Sequence, residues 1–81
     1  MKVLREDNYF YIKLNGISAY IDCEKFGRKL RVISSFTPKG YRGMGLASKI
    51  MSEVVKFARK NKLKIVPKCS FALDYCRKNK C

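Results

Sequence analysis

The chain reads as a small α+β domain: a mixed, mostly antiparallel sheet of about four strands carrying two packed helices, in the order β-β-β-α-β-α. Three observations predict this. Between residues 8 and 36, short segments rich in aromatic and β-branched residues alternate across two faces. A glycine-rich turn then opens a segment with apolar residues at helical spacing: Leu46, Ile50, Val54 and Ala58 form one row, and Ala47, Met51 and Val55 the next. A short run with Leu63, Ile65 and Val66, followed by a second helical segment, closes the chain.

Residues 1–7 are charged and are expected to fray, leaving residues 8–79 as a single domain. Asn8 to Leu14 reads as the first strand, and Asn15-Gly16 as a type I′ hairpin turn. The return strand, Ile17 to about Glu24, puts Ile17, Ala19, Ile21 and Cys23 on one face and Ser18, Tyr20, Asp22 and Glu24 on the other. A turn near Lys25–Arg28 leads to a third strand, Lys29 to about Phe36, in which Leu30, Val32, Ser34 and Phe36 should share a face. Pro38 forbids a simple continuation of that ladder. The helix spans about Gly45 to Asn61, with Lys and Arg gathered in its last turn, where they suit the negative dipole end. Lys62 to Pro67 is a short strand, and a strand–helix–strand crossover makes it parallel to the third strand. Ser70 to about Asn79 is the second helix, with Ser70 as N-cap and Phe71, Leu73, Tyr75 and Cys76 as anchors; a solvated basic end, Arg77-Lys78-Asn79-Lys80, follows.

With 81 residues, one small core is all the chain can build, so a ligand, a partner or a homodimer would add needed stability. The charge, 19 Lys and Arg against 6 Asp and Glu for a net +13, predicts attraction to polyanions, whether nucleic acid, acidic lipid or a polyphosphate cofactor. A lysine-rich proteome is the bland alternative. No run of about 20 apolar residues suggests a membrane span, and the first residues carry no signal-peptide pattern, so the cytoplasm is the expected compartment. The four cysteines, Cys23, Cys69, Cys76 and Cys81, contain no C-x-x-C pair and the chain has no histidine, which argues against a metal site. All four are read as reduced thiols, with Cys76 and Cys81 incidental.

The segment Tyr41-Arg42-Gly43-Met44-Gly45-Leu46-Ala47 joins the third strand to the helix. A turn of this kind leaves backbone N–H groups without intrahelical partners at the positive end of the helix dipole, which makes an anion site. The alternative is a loop that simply needs two positive φ angles. The spacing Arg42-x-x-Gly45-x-Ala47 fits R-x-x-G-x-G/A, and it resembles the pyrophosphate-cradling segment of the Gcn5-related N-acetyltransferase superfamily. Pro38, the Arg42–Ala47 segment, Ile65-Val66-Pro67 and Cys69-Ser70-Phe71 with Tyr75 follow in the order seen in the small YjdJ-type branch of that superfamily, a resemblance covering roughly Tyr9 to Arg77. Where that branch commonly carries His-Thr before the loop, this chain has Ser34-Ser35.

The resemblance implies a minimal acetyltransferase fold that binds acetyl-CoA as substrate and transfers acetyl to an amine or protein acceptor. It places the coenzyme on Arg42, Gly43, Met44, Gly45, Leu46, Ala47 and Ser48, with backbone groups at Phe36 and Thr37 holding the pantetheine arm where the two central strands splay. Lys39 and Lys49 would add charge nearby. Core packing is the ordinary alternative for Phe36. The resemblance also puts Cys69 near the thioester, where a thiolate at a helix N-terminus can accept an acetyl group, and Tyr75 where a hydroxyl can protonate the departing CoA thiolate. A buried structural thiol and a core aromatic are their alternatives. No pair of acids suggests a general base. By the same resemblance, the helices before and strands after this unit that usually build the acceptor pocket are not expected within these 81 residues, so the acceptor stays open. A catalytically idle CoA binder is one competing function. A nucleic-acid module is the other, disfavoured because the basic residues are spread along the chain and the aromatics fall on strand and helix core positions.

Overall fold

The computed structural model describes residues 2–79 and 81. Five strands, β1 (Leu4–Glu6), β2 (Tyr9–Lys13), β3 (Ser18–Phe26), β4 (Lys29–Phe36) and β5 (Lys64–Pro67), lie side by side in sequence order. The first four are antiparallel, and β5 pairs parallel with β4 after the crossover helix α1 (Leu46–Lys60). Helix α2 (Ser70–Asn79) follows β5. The α+β class and the mixed, mostly antiparallel sheet are therefore as the sequence predicts, with one more strand than expected. The extra one is β1. Part of the charged N-terminal segment is paired where fraying was expected: Leu4, Arg5 and Glu6 pair with Tyr11, Phe10 and Tyr9 across a turn in which Asp7 takes φ 52°. Charged residues suit a short edge strand because they blunt its exposed ladder.

One face of the sheet holds the core. Phe10, Ile12, Ala19, Ile21, Cys23, Leu30 and Val32 are buried there against Leu46, Ile50, Met51, Val54 and Ala58 of α1 and Ala72 of α2. Of the helical stripe read from the sequence, the Leu46–Ile50–Val54–Ala58 row and Met51 are buried, and Ala47 and Val55 are half-buried at its margin. The crossover ends in a paired C-terminal cap: Lys62 N–H donates to Arg59 O and Leu63 N–H to Ala58 O, with Lys62 itself at φ 55°. In α2 the first helical bond runs from Leu73 N–H to Cys69 O, so Cys69, not Ser70, heads the helix. Its buried anchor is Ala72, whereas Leu73, an expected anchor, is exposed.

Two turns depart from expectation. At Asn15-Gly16 only Gly16 has positive φ (73°), so the turn is not type I′, which needs both central residues there. Ile17 then lies outside the ladder and is exposed instead of joining the Ala19–Ile21–Cys23 row. The larger departure is in β4. Cys23 pairs with Val32 but Asp22 with Ser34, so Ile33 is an extra residue, a β-bulge. Leu30 and Val32 face the helices, but Ser34 and Phe36 do not share their face as a strict alternation predicts. Phe36 is carried to the opposite, helix-free face, where it pairs with Tyr20 and is exposed rather than core. A one-residue slip moves every following side chain across the sheet.

Candidate functional site

The bulge also marks where β4 loses a neighbour. Strand β5 pairs only with Lys29–Val32, and the last bond between them runs from Lys68 N–H to Val32 O at 2.9 Å. Beyond it, Ile33 bulges out of register and residues 34–36 of β4 remain paired to β3, and none of the four has a strand partner on the other side among the described residues. Cys69 follows Lys68, so it stands at the fork where β4 and β5 part.

The free segment of β4 leads into Thr37, buried Pro38 and a 3-10 turn at Lys39–Tyr41, closed by a bond from Tyr41 N–H to Pro38 O. Arg42 Nε then donates to Thr37 O at 3.1 Å, which cinches the loop and occupies one lone pair of that carbonyl. Gly43 and Gly45 take φ 82° and 75°, the left-handed region that side chains resist. Gly45 is the N-cap of α1, and no side chain caps that end. The first amide engaged within the helix is Lys49 N–H, bonded to Gly45 O at 3.0 Å, so the N–H groups of Leu46, Ala47 and Ser48 have no intrahelical partner. A Cβ built on Gly43 or Gly45 meets nothing within 4 Å, so these glycines answer to backbone conformation and leave open space in front of the loop.

The result is a cleft of about 200 Å³ lined by Thr37, Tyr41, Arg42, Gly43, Gly45, Leu46, Ala47 and Ser48. It contains no carboxylate, and it unites a guanidinium, free backbone donors and the positive end of a helix of 15 residues. Such a cleft can hold a phosphate or pyrophosphate. Of the residues read from the sequence as coenzyme ligands, seven line it. Phe36 and Met44 do not: Phe36 sits on the open sheet face, and the Met44 side chain projects into solvent with 57% exposure. Tyr41 was not among them, yet it lines the cleft while packing against the core. Its signal is its place directly before Arg42-Gly43, at the close of the 3-10 turn.

Cys69 and Tyr75 do not line this cleft. Cys69 is half-buried and free, and Tyr75 is half-buried on α2 with its ring 6.1 Å from Phe71. Cys23 is the other free thiol; burial, with the nearby Asp22 and Cys69, pushes it up from 9.0 to about 12. Cys76 and Cys81, expected as separate reduced thiols, are joined as a disulfide with Cα atoms 4.9 Å apart. A separation of five residues at the end of a helix lets the chain fold back that far. Among the described residues no cluster of His, Cys, Asp and Glu could hold a metal, and no helix is long and apolar enough to cross a membrane.

The geometry defines an α+β domain with an anion-receptive helix N-terminus beside an unpaired strand segment. Residues 9–81 match the model of the GCN5-related N-acetyl-transferase family, and the chain belongs to that family. Among solved structures it is similar to a GCN5-like protein of Staphylococcus aureus determined in solution by NMR. The two share 27% identity with a TM-score of 0.73, over 98% of this chain and 80% of that one. No curated protein matches it. Membership makes this an acyltransferase-class fold.

Proposed function

We propose that the protein binds acetyl-CoA and transfers its acetyl group to an amine acceptor, as the small YjdJ-type form of the family. The observation that carries this reading is the continuity of two features: the cleft at Thr37–Ser48 and the free edge of β4 at residues 33–36. The cleft fits a pyrophosphate. The free edge offers N–H and C=O groups to an extended amide-bearing arm, which can add to β4 as a strand would. The pantetheine arm of CoA has that character. In this reading Gly43, Gly45, Leu46, Ala47 and Ser48 hold the pyrophosphate through backbone donors, and Arg42 adds charge.

The chemical step follows from the same layout. An arm running along residues 33–36 brings the thioester toward the fork, where backbone N–H groups can polarise its carbonyl. A neutral amine attacks that carbonyl, its nitrogen gives up a proton to solvent, the C–S bond breaks, and the CoA thiolate leaves and is protonated, a role that suits the Tyr75 hydroxyl, which recovers a proton from solvent. A variant runs through Cys69: its thiolate takes the acetyl group, CoA leaves, and the amine then attacks the enzyme thioester. Position at the fork and partial exposure support Cys69 over buried Cys23.

Calorimetry with CoA and acetyl-CoA, beside a salt-dependent oligonucleotide titration, tests the binding claim. Saturable CoA binding with only weak, salt-sensitive oligonucleotide binding is expected. Absence of CoA binding overturns the reading, and CoA binding without turnover on any amine leaves an idle CoA binder. Intact-mass measurement after acetyl-CoA incubation decides the variant: an acetyl adduct lost in Cys69→Ala supports the covalent route, and no adduct under single-turnover conditions rules it out.

A further inference from the structure

The face of the sheet opposite the helices carries an aromatic row that the phosphate cleft does not use. Tyr11 stands 5.4 Å from Tyr9, Tyr9 5.3 Å from Tyr20, and Tyr20 5.6 Å from Phe36, each measured between ring centroids. The register places Glu6 and Asp22 on this face, on either side of Tyr9. Glu6 accepts a hydrogen bond from the Tyr11 hydroxyl at 3.3 Å, and neither carboxylate forms an ion pair among the described residues. Of the other acids, Glu24 pairs with Arg31, Glu53 with Lys56 and Asp74 with Arg77, while Asp7 lies in the β1–β2 turn. On a chain of net charge +13, two uncompensated carboxylates beside three tyrosines form an island of opposite sign.

Lys13, beyond Tyr11, and Arg31, opposite Glu24, share this face by register, yet the cations found over rings cover others. Arg31 lies 4.7 Å over Phe26, and Arg5 4.6 Å over Phe57. No such cation stands over Tyr9, Tyr11 or Tyr20 among the described residues. Ring faces attract cations through their quadrupole, and carboxylates at the rim add Coulomb attraction. The Tyr9 phenol is raised above its usual range first by burial, then by Tyr20, Asp22, Tyr11 and Glu6, consistent with a locally negative field.

From this we infer that the Tyr9–Tyr11–Tyr20 face, with Glu6 and Asp22, docks an alkylammonium group carried by the acceptor molecule. The row ends at Phe36, one residue before Thr37 of the cleft, so a molecule held there lies next to the end of the free β4 segment. As a statement about the acceptor, this rests on the acetyltransferase reading; as a cation site, it stands on the face alone. The docked ammonium holds the acceptor, and the amine that reacts must be neutral.

The test is an NMR titration of the full chain at neutral pH with Nα-acetyl-lysine methylamide and with its norleucine analogue, each with and without CoA. Saturable shifts of the Tyr9, Tyr11 and Tyr20 ring signals with the lysine probe, absent with norleucine, are expected. Asp22→Asn with Glu6→Gln should weaken that binding about fivefold or more while the spectrum stays folded. Equal shifts from both probes would reveal an apolar patch only and overturn the inference. So would no ring shift while CoA moves the amides of Gly43–Ser48, or ring signals that move on dilution alone, which would mean that a second copy covers the face. Ring shifts with lysine but no response to CoA would support the cation site and defeat the acetyltransferase reading.

Discussion

Strand β4 has two halves that differ in almost everything but their backbone direction. From Lys29 to Val32 it is paired on both edges and sends Leu30 and Val32, both fully buried, into the core. From Ser34 to Phe36 it is paired on one edge only, and Ser34 and Phe36 have crossed to the open face opposite Asp22 and Tyr20. One extra residue, Ile33, separates them. The first half answers to packing, and the second leaves its hydrogen-bonding groups free for a ligand. A sheet can thus carry a binding edge without giving up its core, because a bulge uncouples the two within one strand.

Alanine substitutions in the two halves should break the comparison most visibly. Leu30→Ala removes a fully buried side chain and is expected to cost about 2–5 kcal/mol in chemical denaturation, a large share of the stability of so small a domain. Phe36→Ala removes a side chain that is 38% exposed and should cost roughly 1 kcal/mol, the scale of a partly exposed aromatic pair. Equal costs would mean that the bulge does not divide the strand.

Alkaline stability probes the packed side alone. The Cys23 thiol, raised from 9.0 to about 12 chiefly by burial, keeps its proton in the folded state while the unfolded chain loses it. The unfolded state then binds fewer protons, so stability falls as pH rises. It is fully present below pH 9 and declines toward about pH 12. The slope contributed by this group is about 1.4 kcal/mol per pH unit in that window. Cys23→Ala should flatten it in denaturation curves measured from pH 8 upward. A matching difference in access is expected in alkylation of the folded protein, with half-buried Cys69 labelled and buried Cys23 spared.

The loop gives smaller effects on stability and larger ones on binding. Gly45→Ala must hold φ 75° with a Cβ, which costs about 1–2 kcal/mol, although that Cβ meets no atom of the protein. If the open space before it is where the pyrophosphate approaches, CoA affinity should fall by about tenfold or more. Arg42→Ala should change stability by only about 0.5 kcal/mol, as for an exposed side chain. It should weaken CoA binding and reduce its dependence on salt, measured by calorimetry at two ionic strengths.

Much of this was legible in the sequence. The helical rows of α1, the parallel return of β5 and the glycine turn before α1 all follow from spacing, because each is fixed by local geometry: a 3.6-residue repeat, a short crossover, glycines at positive φ. What escaped has physical causes too. A bulge leaves no composition signal; Val32-Ile33-Ser34 reads equally well as regular alternation, and only the partner strand reveals the slip. The edge strand β1 is hidden because its charges suit an edge as well as a disordered tail. The Cys76–Cys81 pairing depends on how the chain turns back after α2. Tyr41 became visible as a cleft residue only once the 3-10 turn had placed it. The cation-receptive face could not be read at all, since Tyr9, Tyr11, Tyr20 and Phe36 come together through register across three strands.

In the proposed function the free half of β4 and the N-terminus of α1 form one coenzyme site. A titration of the amide spectrum with CoA tests it most directly. The largest shifts are expected at Gly43–Ser48 and Ile33–Thr37, with Lys29–Val32 nearly unmoved. Shifts centred elsewhere, such as the groove of about 240 Å³ between Phe10 and Phe57, or no shifts at saturating CoA, would contradict it.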